Sequence, residues 1–286
     1  MNEKRLVSNA KVNLFLKVGK KNKIHKLHNI QSIVYLLNLH DKIKVKKINK
    51  NRDKVVFYGK FNRNVNKKNN TVSKSLHLLR KKGFIKKKDH YEISIKKNIP
   101  VFSGFGGGSS NAAVIIRNFL KAKDISKKNI DYFCDYLGSD LRLFFGHKKI
   151  FQINLNNIKK IQGNYSFYFL LVYPYLKSST KIIYSKVYNY EKIKYNYNFN
   201  RVTKPSMLRW LKFQNNALEK IVISKFPVVS KILKELSLLK NCQFSRITGS
   251  GSACFGVFLN KKDAAAGLVK IKKKFPKFWF AISRTI

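Results

Sequence analysis

Apolar and polar side chains alternate along the first part of the chain. The apolar positions are Val12, Leu14, Leu16 and Val18. A period of two is typical of a half-buried strand, in which every second residue lies on the same face. The pattern therefore predicts a strand near the start of the chain and places Lys11 and Asn13 together on one of its faces.

Similar patterns predict the remaining elements. Alternation or apolar runs indicate strands at 30–37, 43–48, 55–58, 91–95, 167–172, 243–248, 253–258 and 278–283. Apolar positions at helical spacing indicate helices at 72–79, 112–120, 131–137, 229–236 and 265–269. Asn70 is the expected N-cap of the first helix, and Gly83 lies beyond its end. This mixture predicts an α+β fold.

The length of the chain allows one long domain or two moderate ones. Its 286 residues, 44% of them apolar, are enough for packed cores. The polar stretch at 156–163 is a candidate boundary. We therefore expect two domains, at residues 1–158 and 159–286.

The charge of the chain is strongly positive. There are 61 Lys and Arg residues against 13 Asp and Glu, a formal net charge of +48. Such a charge is typical of proteins that bind nucleic acid or an anionic surface. Here the lysines are spread over the whole chain, which favours a compositional bias, so no specific nucleic-acid partner is expected.

The cysteines and the apolar runs indicate a reducing, aqueous compartment. Cys134, Cys242 and Cys254 are odd in number and lack paired CxxC spacing, so we expect free thiols. The start of the chain shows no apolar signal segment, and the most apolar run, 167–173, is too short to span a bilayer. A cytoplasmic protein without membrane association is expected.

A glycine-rich segment lies between a predicted strand and a predicted helix. It reads Pro100-Val-Phe-Ser-Gly-Phe-Gly-Gly-Gly-Ser-Ser110. Glycines allow the backbone to approach a ligand closely, and helix N–H groups favour an anion, with Ser109 and Ser110 as expected caps. The segment matches neither the Walker loop nor the dinucleotide fingerprint. It predicts a phosphate site, and a flexible linker is the weaker alternative.

Three other features are ambiguous when each is taken alone. Asp140 precedes an apolar run and could be a catalytic carboxylate or a turn former. Lys11 could be catalytic or a solvated lysine. The turn Thr248-Gly-Ser-Gly-Ser252 could be a hairpin connection, a phosphate contact or a brace for another loop.

Together these features resemble the GHMP kinase superfamily, which includes galactokinase, homoserine kinase and mevalonate kinase. The motifs that carry the resemblance occur in the family order at residues 9–16, 100–113 and 247–255. Within the superfamily the chain is similar, over nearly its whole length, to a branch that phosphorylates a cytidine diphosphate ester of methylerythritol. The segments specific to that branch are 10–16, 106–113 and 137–140, with echoes at His25 and 216–219.

The resemblance implies a fold and a reaction. The fold is an N-terminal α+β domain like one in a small-subunit ribosomal protein, followed by a ferredoxin-like domain, with the active site between them. The reaction is ATP-dependent phosphorylation of the erythritol 2-hydroxyl of the ester, in the non-mevalonate route to isoprenoid precursors. A monomer or weak homodimer is expected.

The resemblance also implies a role for each matching residue. Lys11 and Asp140 match the catalytic pair. The ATP site matches Pro100, Val101, Phe102, Ser103, Gly104, Phe105, Gly106, Gly107, Gly108, Ser109 and Ser110. Substrate contacts match Asn13, His25, Thr180 and Tyr184. Mg²⁺ is expected on the ATP phosphates, with Ser110 as a weak candidate ligand.

Three positions depart from the family pattern. Ile24 replaces a tyrosine that stacks on cytosine, and Phe102 stands where the family has glycine. Arg142 replaces a proline and brings a charge close to Asp140 in sequence. Two rival functions stay open at this point, namely another GHMP kinase acting on a different alcohol and a basic nucleic-acid-binding protein.

Overall fold

The computed structural model divides the chain into two compact units. It describes residues 3–21, 27–163, 165–193, 197, 199 and 202–286. Unit 1 comprises Met1–Ala10, Leu39–Val101 and Gly106–His147, and unit 2 comprises Lys11–Asn38, Phe102–Phe105 and Lys148–Ile286. Both units combine helices and strands, so the α+β prediction is confirmed. The predicted boundary between residues 158 and 159 stays a prediction.

Two long strands at the start of the chain contribute to both units. They are β1 (Lys4–Lys21) and β2 (His28–Ile48), which pair with each other. The sequence predicted two strands in place of β2. No glycine or proline lies between Leu37 and Ile43, and the backbone therefore stays extended through the polar residues there.

Unit 1 has a small sheet with helices. Its further elements are β3 (Lys54–Tyr58), α1 (Thr71–Lys81), β4 (His90–Lys96), α2 (Gly107–Phe119) and α3 (Lys127–Leu137). The second half of β2 pairs antiparallel with β4, which pairs in parallel with β3. As predicted, Asn70 caps α1, its side chain accepting a hydrogen bond from Ser73 N at 2.8 Å.

Unit 2 contains two sets of paired strands. The first half of β2 pairs antiparallel with β5 (Lys149–Gln152), which pairs with β6 (Ile158–Lys160). The sequence predicted only a polar boundary here. The Asn154 side chain accepts hydrogen bonds from Asn156 N and Asn157 N, which closes a turn that sequence periodicity did not show.

The second sheet of unit 2 is antiparallel, in the order β10-β7-β9-β8. Its strands are β7 (Tyr168–Tyr173), β8 (Ser245–Ile247), β9 (Cys254–Phe258) and β10 (Trp279–Arg284). The helices are α4 (Thr180–Ser185), α5 (Lys204–Lys212), α6 (Glu219–Lys225), α7 (Val228–Ser237) and α8 (Lys261–Lys274). The sequence did not predict α4, α5 or α6.

The apolar face of α7 explains how the helices cover this sheet. Val229, Ile232 and Leu236 recur at helical spacing, and all three are fully buried in one cluster with residues of β7 and β9. Burial of each such side chain stabilises the fold by about 1.5–3 kcal/mol. The core of unit 2 thus lies between this sheet and its helices.

The cysteines are free thiols, as predicted. Burial raises the pKa of Cys134 and of Cys242 to about 11. These thiols are therefore protonated at neutral pH and poor nucleophiles. In the described part of the chain no helix has the length and apolar content needed to cross a membrane.

Candidate active site

Lys11 and Asn13 lie on the same face of β1, as the alternation predicted, and both are buried. The Lys11 Nζ donates to Asn13 Oδ1 at 2.5 Å, and Asn13 Nδ2 donates to Ser32 Oγ at 2.8 Å. The strand is not half-buried, because every residue from 11 to 16 is buried on both faces. A lysine in this setting is held in one position, unlike a solvated surface lysine.

The turn at Thr248–Ser252 lies directly against this pair of side chains. Thr248 Oγ1 accepts a hydrogen bond from Asn13 N at 3.1 Å. Gly249 has a φ of +55°, and a Cβ at that position would lie 3.1 Å from Lys11 Nζ and 3.3 Å from Asn13 Oδ1. The conformation favours glycine here, and any Cβ would press on the Lys11 ammonium and the Asn13 amide. The sequence left open whether this turn is a hairpin connection, a phosphate contact or a brace for another loop. Its contacts with Lys11 and Asn13 show that it is more than a hairpin connection.

A buried asparagine holds this turn in place. Asn216 Nδ2 donates to Ile247 O at 3.2 Å and to Gly249 O at 2.9 Å. The same segment is tied to β1, since Ala217 N donates to Leu16 O at 2.8 Å. Asn216 therefore links the strand that carries Lys11 to the glycine turn that covers it.

The first part of the glycine-rich segment, Phe102–Phe105, belongs to unit 2. Lys11 N donates to Phe105 O at 2.9 Å, and Ala253 N donates to Ser103 O at 3.1 Å. Gly104 has a φ of +88°, and a Cβ there would lie 2.1 Å from Thr248 O. The backbones at these two positions approach so closely that only glycine fits at residue 104.

Phe102 accounts for one departure from the family pattern. It adopts a φ of +58°, in the left-handed region where glycine is the usual residue. Its side chain is 50% exposed. The backbone conformation at this position suits the glycine of the family pattern. Phe102 adopts the same conformation at some cost in strain.

The second part, Gly106–Ser110, belongs to unit 1 and begins α2. The N-cap is Gly106, with a φ of 72° and no side-chain capping bond. The first helical bond runs from Ser110 N to Gly106 O at 2.9 Å, so the N–H groups of residues 107–109 precede it. The prediction that Ser109 and Ser110 cap the helix was wrong, because both lie inside its first turn. Since no side chain caps this terminus, its N–H groups favour an anionic ligand.

The two serines of this turn differ in burial. Ser109 is half-buried, whereas Ser110 is buried and its Oγ accepts a hydrogen bond from Ser8 Oγ at 2.8 Å. Pro100 and Val101, the first two residues of the glycine-rich segment, are buried and half-buried, respectively. Ser110 is thus engaged within unit 1 rather than presented at the surface.

Asp140 lies in unit 1 on a short 3₁₀ helix, Ser139–Phe144, which follows α3. Its side chain is half-buried, and the following residues Leu141 and Leu143 are fully buried and anchor the segment. Lys11 and Asp140 belong to different units.

The position of Arg142 in the sequence suggested an unpaired charge next to Asp140. In the structure Arg142 instead forms an ion pair with another acidic residue. It is buried, and its Nη2 donates to Asp131 Oδ1 of α3 at 2.5 Å. This ion pair neutralises the guanidinium within unit 1 and joins the 3₁₀ segment to α3.

The predicted substrate contacts are only partly described. His25 and Ile24 lie outside the described residues. Thr180 begins α4, and its Oγ1 is 3.0 Å from Ser250 Oγ of the glycine turn. Tyr184 lies on the same helix, with its ring centroid 5.8 Å from that of a second histidine, His28.

His28 is a candidate residue that the sequence did not single out. It is buried at the start of β2, with Nδ1 3.2 Å from Gly19 O. Its Nε2 is buried and has no hydrogen-bond partner among the described residues. Such an orphaned polar atom calls for a ligand or water. The signal that could have revealed it is its position at the start of an apolar strand, three residues after His25.

Comparisons with known proteins define the class. The family model described as GHMP kinases N terminal domain matches residues 70–139, and the one described as GHMP kinases C terminal matches residues 204–277. A crystal structure of homoserine kinase from Cytophaga hutchinsonii superposes with a TM-score of 0.70 at 15% identity, covering 100% of this chain and 95% of that one. The fold and the two matched segments are those of an ATP-dependent small-molecule kinase.

More similar relatives narrow the class. A 4-diphosphocytidyl-2-C-methyl-D-erythritol kinase of Pelagibacter ubique is 37% identical over the full length of both chains. The kinase of the same name from Anaplasma marginale is 30% identical, covering 98% of this chain and 96% of its own. A crystal structure of 4-(cytidine 5'-diphospho)-2C-methyl-D-erythritol kinase, 21% identical, has a TM-score of 0.71 and covers 98% of this chain and 99% of that one. The chain belongs to the family of 4-diphosphocytidyl-2-C-methyl-D-erythritol kinases.

Proposed function

We propose that the chain transfers the γ-phosphoryl group of ATP to the 2-hydroxyl of the erythritol moiety of 4-diphosphocytidyl-2-C-methyl-D-erythritol. The single observation that carries this proposal is the 37% identity with a kinase of that name over the full length of both chains. The reaction belongs to the non-mevalonate route to isoprenoid precursors. Both rivals left open by the sequence, a kinase for another alcohol and a nucleic-acid-binding protein, lack comparable support.

The ATP site is proposed at residues 100–110. The first turn of α2 presents backbone N–H groups, and the helix dipole adds a positive partial charge at that end. Gly107 is buried and Gly108 is exposed, so the turn has one face against the protein and one toward solvent. This arrangement supports binding of the triphosphate at the open face.

Asp140 and Lys11 are proposed as the catalytic pair, in line with the resemblance. Phosphoryl transfer needs a group that receives the proton of the attacking hydroxyl and positive charge that stabilises the transferring phosphoryl group. A half-buried carboxylate on an anchored segment suits the first task. A buried lysine whose ammonium is fixed by Asn13 suits the second.

Substrate recognition is proposed for Asn13, His25, Thr180 and Tyr184, and we add His28. A cytosine ring offers a π face and hydrogen-bonding edges, which aromatic and polar side chains recognise. The Tyr184 ring centroid lies 5.8 Å from that of His28, whose Nε2 has no hydrogen-bond partner in the described part of the chain. These two residues support a nucleobase pocket in unit 2.

Mg²⁺ is proposed to enter on the ATP phosphates, where it would neutralise charge on the transferring group. Among the described residues, no cluster of three or more His, Cys, Asp or Glu side chains could hold a metal ion. Ser110 fits poorly as a ligand, because its hydroxyl is buried and already accepts a hydrogen bond from Ser8.

We also propose that the chain has a domain boundary between residues 158 and 159, and that the domain before it binds ATP.

The test is a coupled assay of ADP release with the purified chain, ATP and Mg²⁺. The cytidine diphosphate ester is offered beside homoserine and mevalonate. We expect turnover with the ester alone, with the product phosphorylated at the 2-hydroxyl by ³¹P NMR. Faster turnover with either of the other alcohols would show that the acceptor is wrongly assigned. If the chain binds ATP but phosphorylates none of the three acceptors, the proposed reaction is wrong.

A further inference from the structure

A buried ion pair lies in unit 1 at the point where the glycine-rich segment begins. Lys97 follows β4 and is 3% exposed, and Asp41 of β2 is fully buried. The Lys97 Nζ donates to Asp41 Oδ2. The other carboxylate oxygen, Oδ1, accepts hydrogen bonds from Asn98 N at 2.7 Å and Ile99 N at 2.9 Å. Asp41 thus fixes the three residues that lead into the segment.

The same pair also holds the helix that follows the segment. Asn111 of α2 accepts a hydrogen bond from Lys97 Nζ at 3.0 Å and donates one to Asp41 Oδ2 at 3.0 Å. Its Nδ2 also donates to Ser8 Oγ at 2.9 Å, and Ser8 donates in turn to Ser110 Oγ. The first two turns of α2 are therefore tied to the ion pair through side chains.

The start of α2 rests directly on the residues that Asp41 fixes. A Cβ at Gly107 would lie 3.0 Å from Ile99 Cγ2 and 3.4 Å from Lys97 Nζ. The residues that lead into the glycine-rich segment at Pro100 and the first turn of α2, which ends it, are thus in contact through the ion pair and its neighbours. A shift of the pair would shift both ends.

Stability alone does not account for a pair of this kind. Buried charges lose hydration, and apolar replacements of a complete pair are often as stable. Burial lowers the pKa of Lys97, against the opposing effect of Asp41. Asp41 uses both oxygens in four hydrogen bonds, so the pair specifies one geometry with little freedom. Such precision is typical of groups that pre-organise a functional site.

We propose that Asp41 and Lys97 are positioning residues for ATP. They hold the ends of the glycine-rich segment so that the first N–H groups of α2 meet the phosphates without rearrangement. This inference rests on the proposed function, because it takes residues 100–110 as the ATP site. Neither residue touches the nucleotide in this proposal, and both act through Asn111 and the backbone at 98–99.

The test is the double variant Asp41→Asn with Lys97→Met. It leaves no uncompensated charge, and the amide oxygen introduced at position 41 can still accept hydrogen bonds from the N–H groups of residues 98 and 99. Both links to Asn111 are lost, because methionine cannot donate to its Oδ1 and the new amide NH2 faces its Nδ2, which is also a donor. We expect a folded protein whose affinity for ATP, measured by calorimetric titration without acceptor, falls about tenfold or more. In the coupled assay the KM for ATP should rise, while the KM for the cytidine ester stays within about twofold of wild type.

A matched control lies in the same unit. Arg80 of α1 donates to both oxygens of Asp53, at 2.6 and 2.7 Å, and Asp53 Oδ1 accepts from Tyr91 N at 2.9 Å. The double variant Asp53→Asn with Arg80→Met removes a charge pair of similar chemistry that joins α1 to the strands. It should leave ATP affinity unchanged, whatever its effect on unfolding.

The titrations of the two double variants decide the proposal. An ATP affinity within about twofold of wild type in the Asp41/Lys97 variant, or an equal loss in the control, would overturn it. If that variant does not fold, the variant Ser8→Ala replaces it in the test. It removes the hydroxyl that joins Asn111 to Ser110, and we expect ATP affinity to fall about threefold. If the wild-type chain binds ATP but does not phosphorylate the ester, only the acceptor assignment fails. If it binds no ATP, the phosphate site and this inference fail together.

Discussion

Single residues at the candidate site are constrained by backbone conformation as much as by chemistry. Gly104 and Gly249 both have positive φ, and an added Cβ would meet the backbone of Thr248 at the first and the Lys11 side chain at the second. Phe102 adopts a similar conformation without being glycine. Because the left-handed region costs about 1–2 kcal/mol for such a residue, Phe102→Gly should be neutral or stabilising in thermal unfolding.

The variant Gly249→Ala tests the contact between the turn and Lys11. Its methyl group would meet Lys11 Nζ at 3.1 Å and would also strain the backbone. We expect kcat to fall about tenfold or more, because a displaced charge loses its stabilising effect on the transition state. Steady-state kinetics measures this change, and Gly83→Ala, at positive φ but with open space around it, is the matched control for strain. Equal losses in both variants would show strain alone.

The variant Asp140→Asn tests the proposed role of Asp140 as the catalytic base. It keeps the shape of the side chain but removes its capacity to accept the hydroxyl proton, and positioned bases contribute about a hundredfold or more. We expect kcat to fall by at least that factor while ATP affinity, measured by titration, changes by less than about twofold. A variant that keeps more than about a tenth of the wild-type rate would remove Asp140 from this role.

At this scale the sequence predicted side chains that act locally and missed those that act through distant contacts. The alternation of β1 placed Lys11 and Asn13 on one face correctly, since a period of two is a local property. The partnership of Lys97 with Asp41 spans 56 positions and involves one lysine in a chain rich in them. Nothing local distinguishes Lys97 from its neighbour Lys96, and its burial is visible only in the fold.

Helix α2 is the element that carries the proposed phosphate site. Its amphipathic pattern predicted the body of the helix, but its start at Gly107 was not predicted, because glycine and serine are both common at helix N-termini. The two glycines of the first turn have different surroundings. Gly107 packs on Ile99, whereas the nearest atoms to a Cβ at Gly108 belong to Thr71, at 3.7 Å or more.

The variants Gly107→Val and Gly108→Ala test this difference. A valine at 107 would collide with Ile99 and displace the start of α2, so we expect ATP affinity to fall at least about tenfold in a titration. An alanine at 108 has room and should bind ATP within about threefold of wild type. An unchanged affinity in the Gly107→Val variant would contradict the phosphate site at this helix.

Strand β2 shows where periodicity is insufficient at the scale of elements. Its two apolar stretches were predicted as separate strands, since the polar residues between them resemble a loop. In the structure these polar side chains have partners, with Asp41 bound to the backbone at 98–99 and Asn38 Oδ1 accepting from Ser283 Oγ at 2.6 Å. In a sequence pattern, a polar residue inside a strand cannot be distinguished from a loop residue unless its hydrogen-bond partner is known.

The net positive charge of the whole molecule lowers the stability of its fold. With 13 acidic residues against 61 basic ones, repulsion outweighs the attraction within exposed ion pairs, which are individually weak. Salt screens both, but it removes more repulsion than attraction in this chain. A rise from about 0.1 M to 1 M reduces the Debye length from about 10 to 3 Å.

We therefore expect the midpoint of thermal unfolding, followed by circular dichroism, to rise with sodium chloride. A gain of about 1 kcal/mol corresponds to about 2–4 °C for a chain of roughly this size. Inorganic phosphate at equal ionic strength should raise it further if the first turn of α2 binds anions. A midpoint that falls with salt would show that ion pairs dominate the stability.

The interleaving of the two units has a consequence for synthesis on the ribosome. Lys11–Asn38 belongs to unit 2, yet its partner strand β5 begins only at Lys149, after all of unit 1 has been made. The early segment, apolar and rich in strand formers, must therefore wait about 5–20 s at ordinary rates of elongation. During that interval its unpaired edge is open to aggregation and to chaperones. A nascent chain arrested near residue 147 should consequently be more sensitive to protease at residues 11–38 than at residues 71–119.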